Sequence, residues 1–168
     1  MTTTDRTTRF TEAAIEADPN VPMIHIVRDF RATPEQVLRA HTDPDLFARW
    51  VGPDSTTTTI DHWDCRTLGS YRYLSHLGDE EYAFRGTFPE VGEHRIVQTF
   101  TYEGMPEAIA LETLTFEDLG DGWTRLRSQS LCDSFEGRDG MLSSGMDVGV
   151  REGYAKLDRM LADEAGAR

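Results

Sequence analysis

Residues Gly140–Ala165 read GMLSSGMDVGVREGYAKLDRMLADEA, and this stretch decides the fold. Apolar side chains recur along it three or four residues apart, which is the spacing of one face of an α-helix. The residues on that face are Leu142, Met146, Val150, Leu157 and Leu161. The pattern predicts a long amphipathic helix near the end of the chain, with an apolar face that covers another layer of structure.

Glycine sets this helix apart from an ordinary one. Gly145, Gly149 and Gly153 stand four residues apart and form a stripe, and Gly149 and Gly153 fall on or beside the apolar face. Each glycine destabilises a helix by roughly 0.5–1 kcal/mol relative to alanine, so the stripe needs a reason. Two explanations are open. Neighbouring backbone approaches the helix closely, or the missing side chains leave a cavity between helix and sheet that a ligand occupies.

The composition indicates one globular domain. The chain has 168 residues, of which 38% are hydrophobic and 28% charged, and these shares are ordinary for a single domain with a substantial core. The threonine-rich start has no regular period, so we expect residues 1–20 to be a flexible tail and residues 21–165 to be the domain. Cys65 and Cys132 lack the spacing of a disulfide framework and are predicted to be buried free thiols.

The charge and the hydropathy limit the partners. A formal net charge of −13 opposes binding to nucleic acid, whose recognition depends on lysine and arginine contacts to phosphate. No apolar run is long enough to cross a bilayer, so no membrane partner is expected. The start of the chain lacks the apolar segment of a signal peptide, and a cytoplasmic location is the resulting expectation.

The chain ahead of the long helix predicts an antiparallel sheet. Alternating apolar residues over 21–30 predict a strand, the pair Thr33 and Gln36 predicts a capped short helix, and Asp43 begins a second one. From Ser55 the period is two, interrupted by turns that contain glycine or proline. The six strands predicted there are 55–64, 69–77, 81–89, 95–103, 108–117 and 123–132. This order is that of an α+β fold with helices on one face of the sheet.

Side-chain parity indicates which face of the sheet meets the long helix. In four of the strands one face is more apolar or aromatic than the other, and we expect that face to point inward. The predicted inward residues are Tyr71, Tyr73, Ser75, Leu77, Tyr82, Phe84, Gly86, Phe88, Ile96, Gln98, Phe100, Tyr102, Leu126, Ser128, Ser130 and Cys132. Parity is ambiguous for strands 55–64 and 108–117, so no facing is assigned to them.

Several local motifs point to a known family. They are Arg28-Asp-Phe-Arg-Ala-Thr-Pro34, Thr42-Asp-Pro44, Trp50-Val-Gly-Pro53, Asp64-Cys-Arg-Thr-Leu-Gly-Ser-Tyr71, Arg85-Gly-Thr-Phe-Pro-Glu-Val91 and the spacing from Gly145-Met146 to Gly153-Tyr-Ala-Lys-Leu157. Over residues 22–162 the chain resembles the activator-of-Hsp90-ATPase-homologue-like branch of the START/Bet v 1-like superfamily. The resemblance implies a helix-grip fold, in which a curved antiparallel sheet wraps around a long C-terminal helix.

The resemblance implies less about function. Relatives bind or transform hydrophobic small molecules between sheet and helix, some as polyketide cyclases or self-resistance proteins, and a few regulate chaperones. It carries over no catalytic residue. In such a fold the glycine stripe favours a pocket wall, so Gly145, Gly149 and Gly153 are predicted to border empty or ligand-filled space.

The candidate ligand-binding residues are those predicted to line this cavity. Aromatic walls with a few polar groups are typical of small-molecule pockets, although aromatic side chains also build ordinary cores. The candidates are Trp50, Tyr71, Tyr73, Phe84, Gln98, Phe100, Ser128, Ser130, Met141, Gly145, Met146 and Gly149. The five histidines lack metal-site spacing, and phosphate-loop and nucleophile motifs do not occur, so neither a metal nor a cofactor is expected.

The leading hypothesis is binding of a small hydrophobic molecule, aromatic or polyketide-like, between the sheet and the C-terminal helix. The first alternative is a cyclase- or hydrolase-type enzyme in the same cavity, which needs an inward titratable group beside the ligand. The second is a chaperone (Hsp90) co-regulator or interaction module. A homodimer is a possible assembly for this fold.

Overall fold

The computed structural model describes residues 8–166. Within that range the chain forms nine strands and four helices. The strands are β1 (Ala14–Ala17), β2 (Met23–Phe30), β3 (Thr57–Trp63), β4 (Gly69–Leu77), β5 (Glu80–Phe88), β6 (Glu90–Val91), β7 (Arg95–Tyr102), β8 (Ile109–Gly120) and β9 (Trp123–Leu131). The helices are α1 (Pro34–Thr42), α2 (Pro44–Trp50), α3 (Phe135–Ser143) and α4 (Met146–Gly166). The predicted α+β class is confirmed.

All nine strands belong to one antiparallel, curved sheet. Its order is β1-β2-β9-β8-β7-β5-β4-β3, and β6 pairs with β7 beside this path. Cross-strand partners share a face, and the registers therefore define the concave side. Ile24, Ser130, Glu112 and Gln98 are successive partners across four strands and form one inward row. The parity predicted for the four strands agrees with this arrangement.

Helices α1 and α2 are joined to the sheet and to each other by hydrogen bonds from tryptophan. Thr33 caps α1 in the predicted capping box with Gln36, because each side chain bonds the other residue's backbone N–H. Trp50 Nε1 donates to the carbonyl of Ala40 at 2.8 Å. On β3, Trp63 Nε1 donates to the carbonyl of Thr42, also at 2.8 Å. The two short helices are thereby held at one end of the concave face.

The predicted single C-terminal helix is two helices, and glycine is the reason. Ser134 caps α3 by accepting from the backbone N–H of Gly137 at 2.9 Å. Gly145 has φ +89°, a left-handed conformation that ends α3 and that a residue with a side chain rarely adopts. After this break α4 carries Tyr154 and Leu157 into the core. None of the helices between residues 8 and 166 is long and apolar enough to cross a membrane.

The expectation of a flexible tail over residues 1–20 is wrong for the part that the structure describes. Strand β1 pairs with β2, and Phe10 and Asp29 exchange two hydrogen bonds of 2.8 and 2.9 Å. Arg125 donates to both carboxylate oxygens of Asp29 and to the carbonyl of Thr8. The segment around Phe10 covers a buried ion pair rather than an apolar surface. Hydrophobic periodicity therefore gave no sign that this segment packs on the sheet. Residues 1–7 lie outside the described residues.

Both cysteines are free thiols, as their spacing indicates. Cys132 is buried on the concave face, and Cys65 is half-buried. Burial, together with the charge of Asp64, raises the pKa of Cys65 to about 11. The Cys65 thiol is therefore protonated at neutral pH, and thiolate chemistry is not favoured there.

Candidate ligand-binding site

Four aromatic side chains form a continuous wall on the concave face. Tyr71 and Tyr73 on β4, Phe84 on β5 and Phe100 on β7 follow one another with ring centroids 6.2, 5.3 and 5.4 Å apart. All four point inward, as parity predicts. Tyr71 and Tyr73 are buried, whereas Phe84 and Phe100 are half-buried. The wall therefore runs from the core to a side of the concave face that solvent reaches.

A row of polar side chains lies beside this wall. Glu112 on β8 is the central residue, because Gln98 Nε2 donates to its Oε1 at 2.9 Å and Ser130 Oγ donates to its Oε2 at 2.7 Å. Ser130 is buried, while Gln98 and Glu112 keep partial access to solvent. Ser128, also buried, is the preceding inward position on β9. Gln98 and Ser130 point inward, and both are hydrogen-bonded to the carboxylate of Glu112.

Sequence reasoning missed Glu112. Both faces of β8 mix polar and apolar residues, so alternation alone assigns neither of them to the interior. One signal was present: Glu112 shares parity with Leu114 and Phe116, which are more apolar than Thr113 and Thr115. The pairing of Glu112 with Ser130 and Gln98 in the sheet register decides the facing.

The electrostatics of the site follow from its low polarity. Burial raises the pKa of Glu112, and the hydrogen bonds from Gln98 and Ser130 oppose that shift. Burial also raises the pKa of Tyr71, Tyr73 and Tyr154, and the charge of Glu112 adds to the effect at each. These tyrosines remain neutral. Glu112 is thus the ionisable centre of an aromatic environment.

Tyr71 contributes its ring rather than its hydroxyl to the site. Its OH donates to the carbonyl of Thr99 at 2.7 Å. The ring crosses Gly86, where a Cβ would lie 2.6 Å from the tyrosine OH and 2.0 Å from the Thr99 carbonyl. Gly86 is therefore required for this close approach, and it fixes the tyrosine against the sheet.

Trp50 lies in the core instead of on the partly exposed wall. It is 6% exposed, and its indole N–H is already bonded to Ala40. Its ring packs against His41, Phe47 and Tyr154 at centroid distances of 4.9, 5.4 and 5.8 Å. The contacts make Trp50 the link between α2 and α4.

Close packing explains Gly153, and Gly149 is in ordinary contact with the same loop. A Cβ on Gly153 would lie 3.1 Å from the Trp50 carbonyl, and one on Gly149 would lie 3.5 Å from Pro53. The prediction that Gly149 and Gly153 border empty or ligand-filled space is wrong, because the loop after α2 crosses α4 there. Gly145 does border open space, but it is exposed and serves as the break between α3 and α4.

Met141 and Met146 pack against the core from the two C-terminal helices. Met141 on α3 borders a depression of about 30 Å³ together with Ala110 and Cys132. Ala110 is the neighbour of Glu112 on the inward face of β8, and Cys132 follows the end of β9, two residues after Ser130. A separate depression of about 270 Å³ lies on the surface near α1, away from the aromatic wall. The depression beside Met141 accommodates about one water molecule.

The histidines are not placed for chemistry on the concave face. His41 is buried, its Nδ1 donates to the carbonyl of Val37 at 2.8 Å, and burial lowers its pKa to about 4. His76 points to the opposite face, where it bonds to Thr59. Across residues 8–166 no three His, Cys, Asp or Glu side chains are grouped to hold a metal ion.

Comparison with known proteins identifies the family and the fold. The family model described as "Activator of Hsp90 ATPase homolog 1-like protein" matches residues 31–162. A crystal structure from Rhodobacter sphaeroides shares 26% identity with a TM-score of 0.79 and covers 89% of this chain and 98% of that one. No curated protein matches the chain.

Two further solved structures show the same fold. The one from Mycobacterium smegmatis has 22% identity, a TM-score of 0.79 and coverage of 88% of this chain and 95% of its own. The solution structure from Arthrobacter aurescens has 22% identity, a TM-score of 0.81 and coverage of 89% and 91%, respectively.

Proposed function

Because the chain belongs to the family of proteins like activator of Hsp90 ATPase homolog 1, we propose that it binds a small hydrophobic molecule, aromatic or polyketide-like, between the concave face of the sheet and helices α3 and α4. The fold is consistent with a ligand-binding domain. The observation that carries the proposal is the inward Glu112, hydrogen-bonded in a partly open aromatic face.

The concave face is not sealed as an ordinary core is. Phe84, Phe100, Gln98 and Glu112 point toward the helices and still keep access to solvent. Large aromatic surfaces with a small number of oriented polar groups are what small-molecule sites use. Burial of a carboxylate is unfavourable, and the hydrogen bonds from Gln98 and Ser130 offset only part of that cost at Glu112, so a polar group in this position favours a functional role.

Helix α3 supports the proposal because it packs at the surface of the fold. None of its residues is buried, and it joins α4 through the left-handed Gly145. Arg138 Nη1 holds it by donating to the carbonyl of Asp18 at 2.6 Å. Displacement of α3 and Met141 would enlarge the small depression beside Ala110 into a space for a ligand.

Binding can be measured directly with 2-naphthol, a neutral aromatic probe, by calorimetric titration. We expect saturable binding by the natural chain and at least about ten-fold weaker binding by Phe100→Ala, which removes one ring of the wall. Leu111→Ala is the matched control, because it truncates an exposed apolar side chain on a neighbouring strand. No saturable binding, or equal loss in both variants, would contradict the proposal.

Glu112 also favours a second function, an enzyme of the cyclase or hydrolase type. It is the inward titratable group that such chemistry requires, and a carboxyl with a raised pKa exchanges protons near neutral pH more readily than an ordinary one. Native mass spectrometry of protein purified from its own host would identify a bound molecule. Conversion of that molecule by the natural chain, with binding but no conversion by Glu112→Gln, is the expected result. Equal conversion by both proteins would exclude this role.

A further inference from the structure

The two oxygens of Glu112 retain capacity to accept hydrogen bonds. Oε1 receives one bond from Gln98 and Oε2 one from Ser130. An ionised carboxylate has about four acceptor positions, so each oxygen has room for another donor. Gln98 and Ser130 approach from the strands on either side, β7 and β9, and hold the carboxylate in place between them.

Besides burial, the charge of Glu112 raises the pKa of Tyr71 and Tyr73 on β4, of Tyr154 on α4 and of Cys132 after β9. Arg138 on α3 opposes this effect at Cys132. Among the described residues, the groups that shift the pKa of Glu112 include neither arginine nor lysine. Arg28 lowers the pKa of Tyr154, and its Nη1 lies 3.9 Å from Oδ1 of Asp158.

We propose that Glu112 recognises a hydrogen-bond donor on the bound molecule, either a hydroxyl group or a protonated amine, and that it rejects ligands with a carboxylate at that position. The inference rests on the proposed binding function and names the polar chemistry of the ligand. A donor fills the free acceptor positions of Glu112. The negative faces of the nearby aromatic rings add attraction for a cation.

Rejection of carboxylates has the same physical origin. Two negative charges in a poorly solvated site repel each other strongly, and neither gains a compensating partner. The aromatic wall accepts the ring system of any such ligand equally well. The functional group that meets Glu112 therefore decides which aromatic molecule binds.

The experiment compares four probes with one ring system: 2-methylnaphthalene, 2-naphthol, 2-naphthylmethylamine and 2-naphthoate, titrated calorimetrically at neutral pH. The natural chain should bind the alcohol and the amine at least about ten-fold more tightly than 2-methylnaphthalene, because a hydrogen bond to a charged group contributes that much. It should bind 2-naphthoate more weakly than 2-methylnaphthalene.

Two substitutions separate charge from hydrogen bonding. Glu112→Gln keeps an acceptor oxygen and removes the charge, so the preference for the amine over 2-naphthoate should fall about ten-fold while 2-naphthol changes less. Glu112→Leu removes both, so alcohol and amine should each lose their advantage over 2-methylnaphthalene. Glu117→Gln is the control, because it removes the same charge from the opposite face of the same strand.

Each outcome is decisive. If the natural chain binds all four probes equally, or if Glu112→Gln leaves the amine-to-naphthoate ratio unchanged, the inference is overturned and hydrophobic binding stands. If the natural chain binds none of the probes, the proposed function fails and the inference fails with it. Circular dichroism checks the fold of each variant, and the Glu112→Gln ratio suffices should Glu112→Leu not fold.

Discussion

Ser130 Oγ donates a 2.7 Å hydrogen bond to Glu112 Oε2 and so joins β9 to β8 on the concave face. The bond stabilises the ionised carboxylate in surroundings that otherwise oppose its charge. Ser130→Ala should therefore raise the pKa of Glu112 further. Carbon-13 NMR titration of the Glu112 carboxyl measures this shift. Ser128→Ala, the same truncation at the preceding inward position, is the control and should raise the pKa less.

Glu112→Gln should become more stable relative to the natural chain as pH rises. The pKa of Glu112 is raised above its ordinary value of 4.5, so unfolding releases a proton at pH values between the unfolded and folded pKa. The natural chain loses stability across that window, and the glutamine variant has no proton to lose. Urea unfolding of both proteins from pH 4.5 to neutral pH tests the sign, with Glu117→Gln as the control. A decrease in the stability of Glu112→Gln relative to that of the natural chain as pH rises would contradict the prediction.

Stability should fall in mild acid because of His41. Its pKa in the folded chain is about 4, below the ordinary 6.5, so the unfolded chain binds a proton that the folded chain does not. The contribution is complete above pH 6.5 and is lost progressively toward pH 4, amounting to about 3 kcal/mol. His41→Leu should flatten this part of the urea-unfolding profile. The exposed His94→Leu should leave it unchanged.

Breaking the Arg125–Asp29 pair should be costly. Both side chains are buried, and Arg125→Met would leave the Asp29 carboxylate without its arginine partner. We expect a loss of about 3–5 kcal/mol in the free energy of unfolding, together with faster proteolysis near Phe10. Arg127→Met, two residues along the same face, should have little effect. The double variant Asp29→Leu/Arg125→Met should regain part of the loss, and equal instability of single and double variants would refute this account.

The glycines of α4 should respond differently to alanine. At Gly149 the new methyl group meets Pro53 at an ordinary distance of 3.5 Å, so helix propensity should stabilise the protein by up to about 1 kcal/mol. At Gly153 it meets the Trp50 carbonyl at 3.1 Å, and that backbone cannot move freely. Gly153→Ala should therefore be less stable than Gly149→Ala in thermal unfolding. The reverse order would show that the loop yields more easily than α4.

The aromatic wall could be predicted from the sequence because strand parity is local. Tyr71, Tyr73, Phe84 and Phe100 alternate with residues that are mostly polar and face the other way, and the short turns between strands favour an antiparallel meander. The start of α1 could be predicted for the same reason, because Thr33 caps it through a residue only three positions away. Cytoplasmic location, a homodimer and a chaperone partner stay predictions.

Other features depended on contacts between distant parts of the chain. Periodicity could not show that Gly145 adopts a left-handed conformation. A glycine at this position fits both a stripe of small residues along one continuous helix and a break between two helices. It also could not show that the loop at Gly52 would lie against Gly153. The packing of that loop, rather than a cavity, accounts for the glycine.

The amino-acid sequence by itself determined the α+β class and the inward aromatic face, because periodicity, capping and turn residues act over a few neighbouring positions. Its motifs gave the resemblance to the family and thereby the helix-grip fold. Only the tertiary structure decided that Glu112 faces Gln98 and Ser130, since both faces of its strand mix polar and apolar residues and the register across three strands resolves them. It likewise decided that the segment around Phe10 covers the Arg125–Asp29 pair, because a buried charge finds its partners through space and not along the chain.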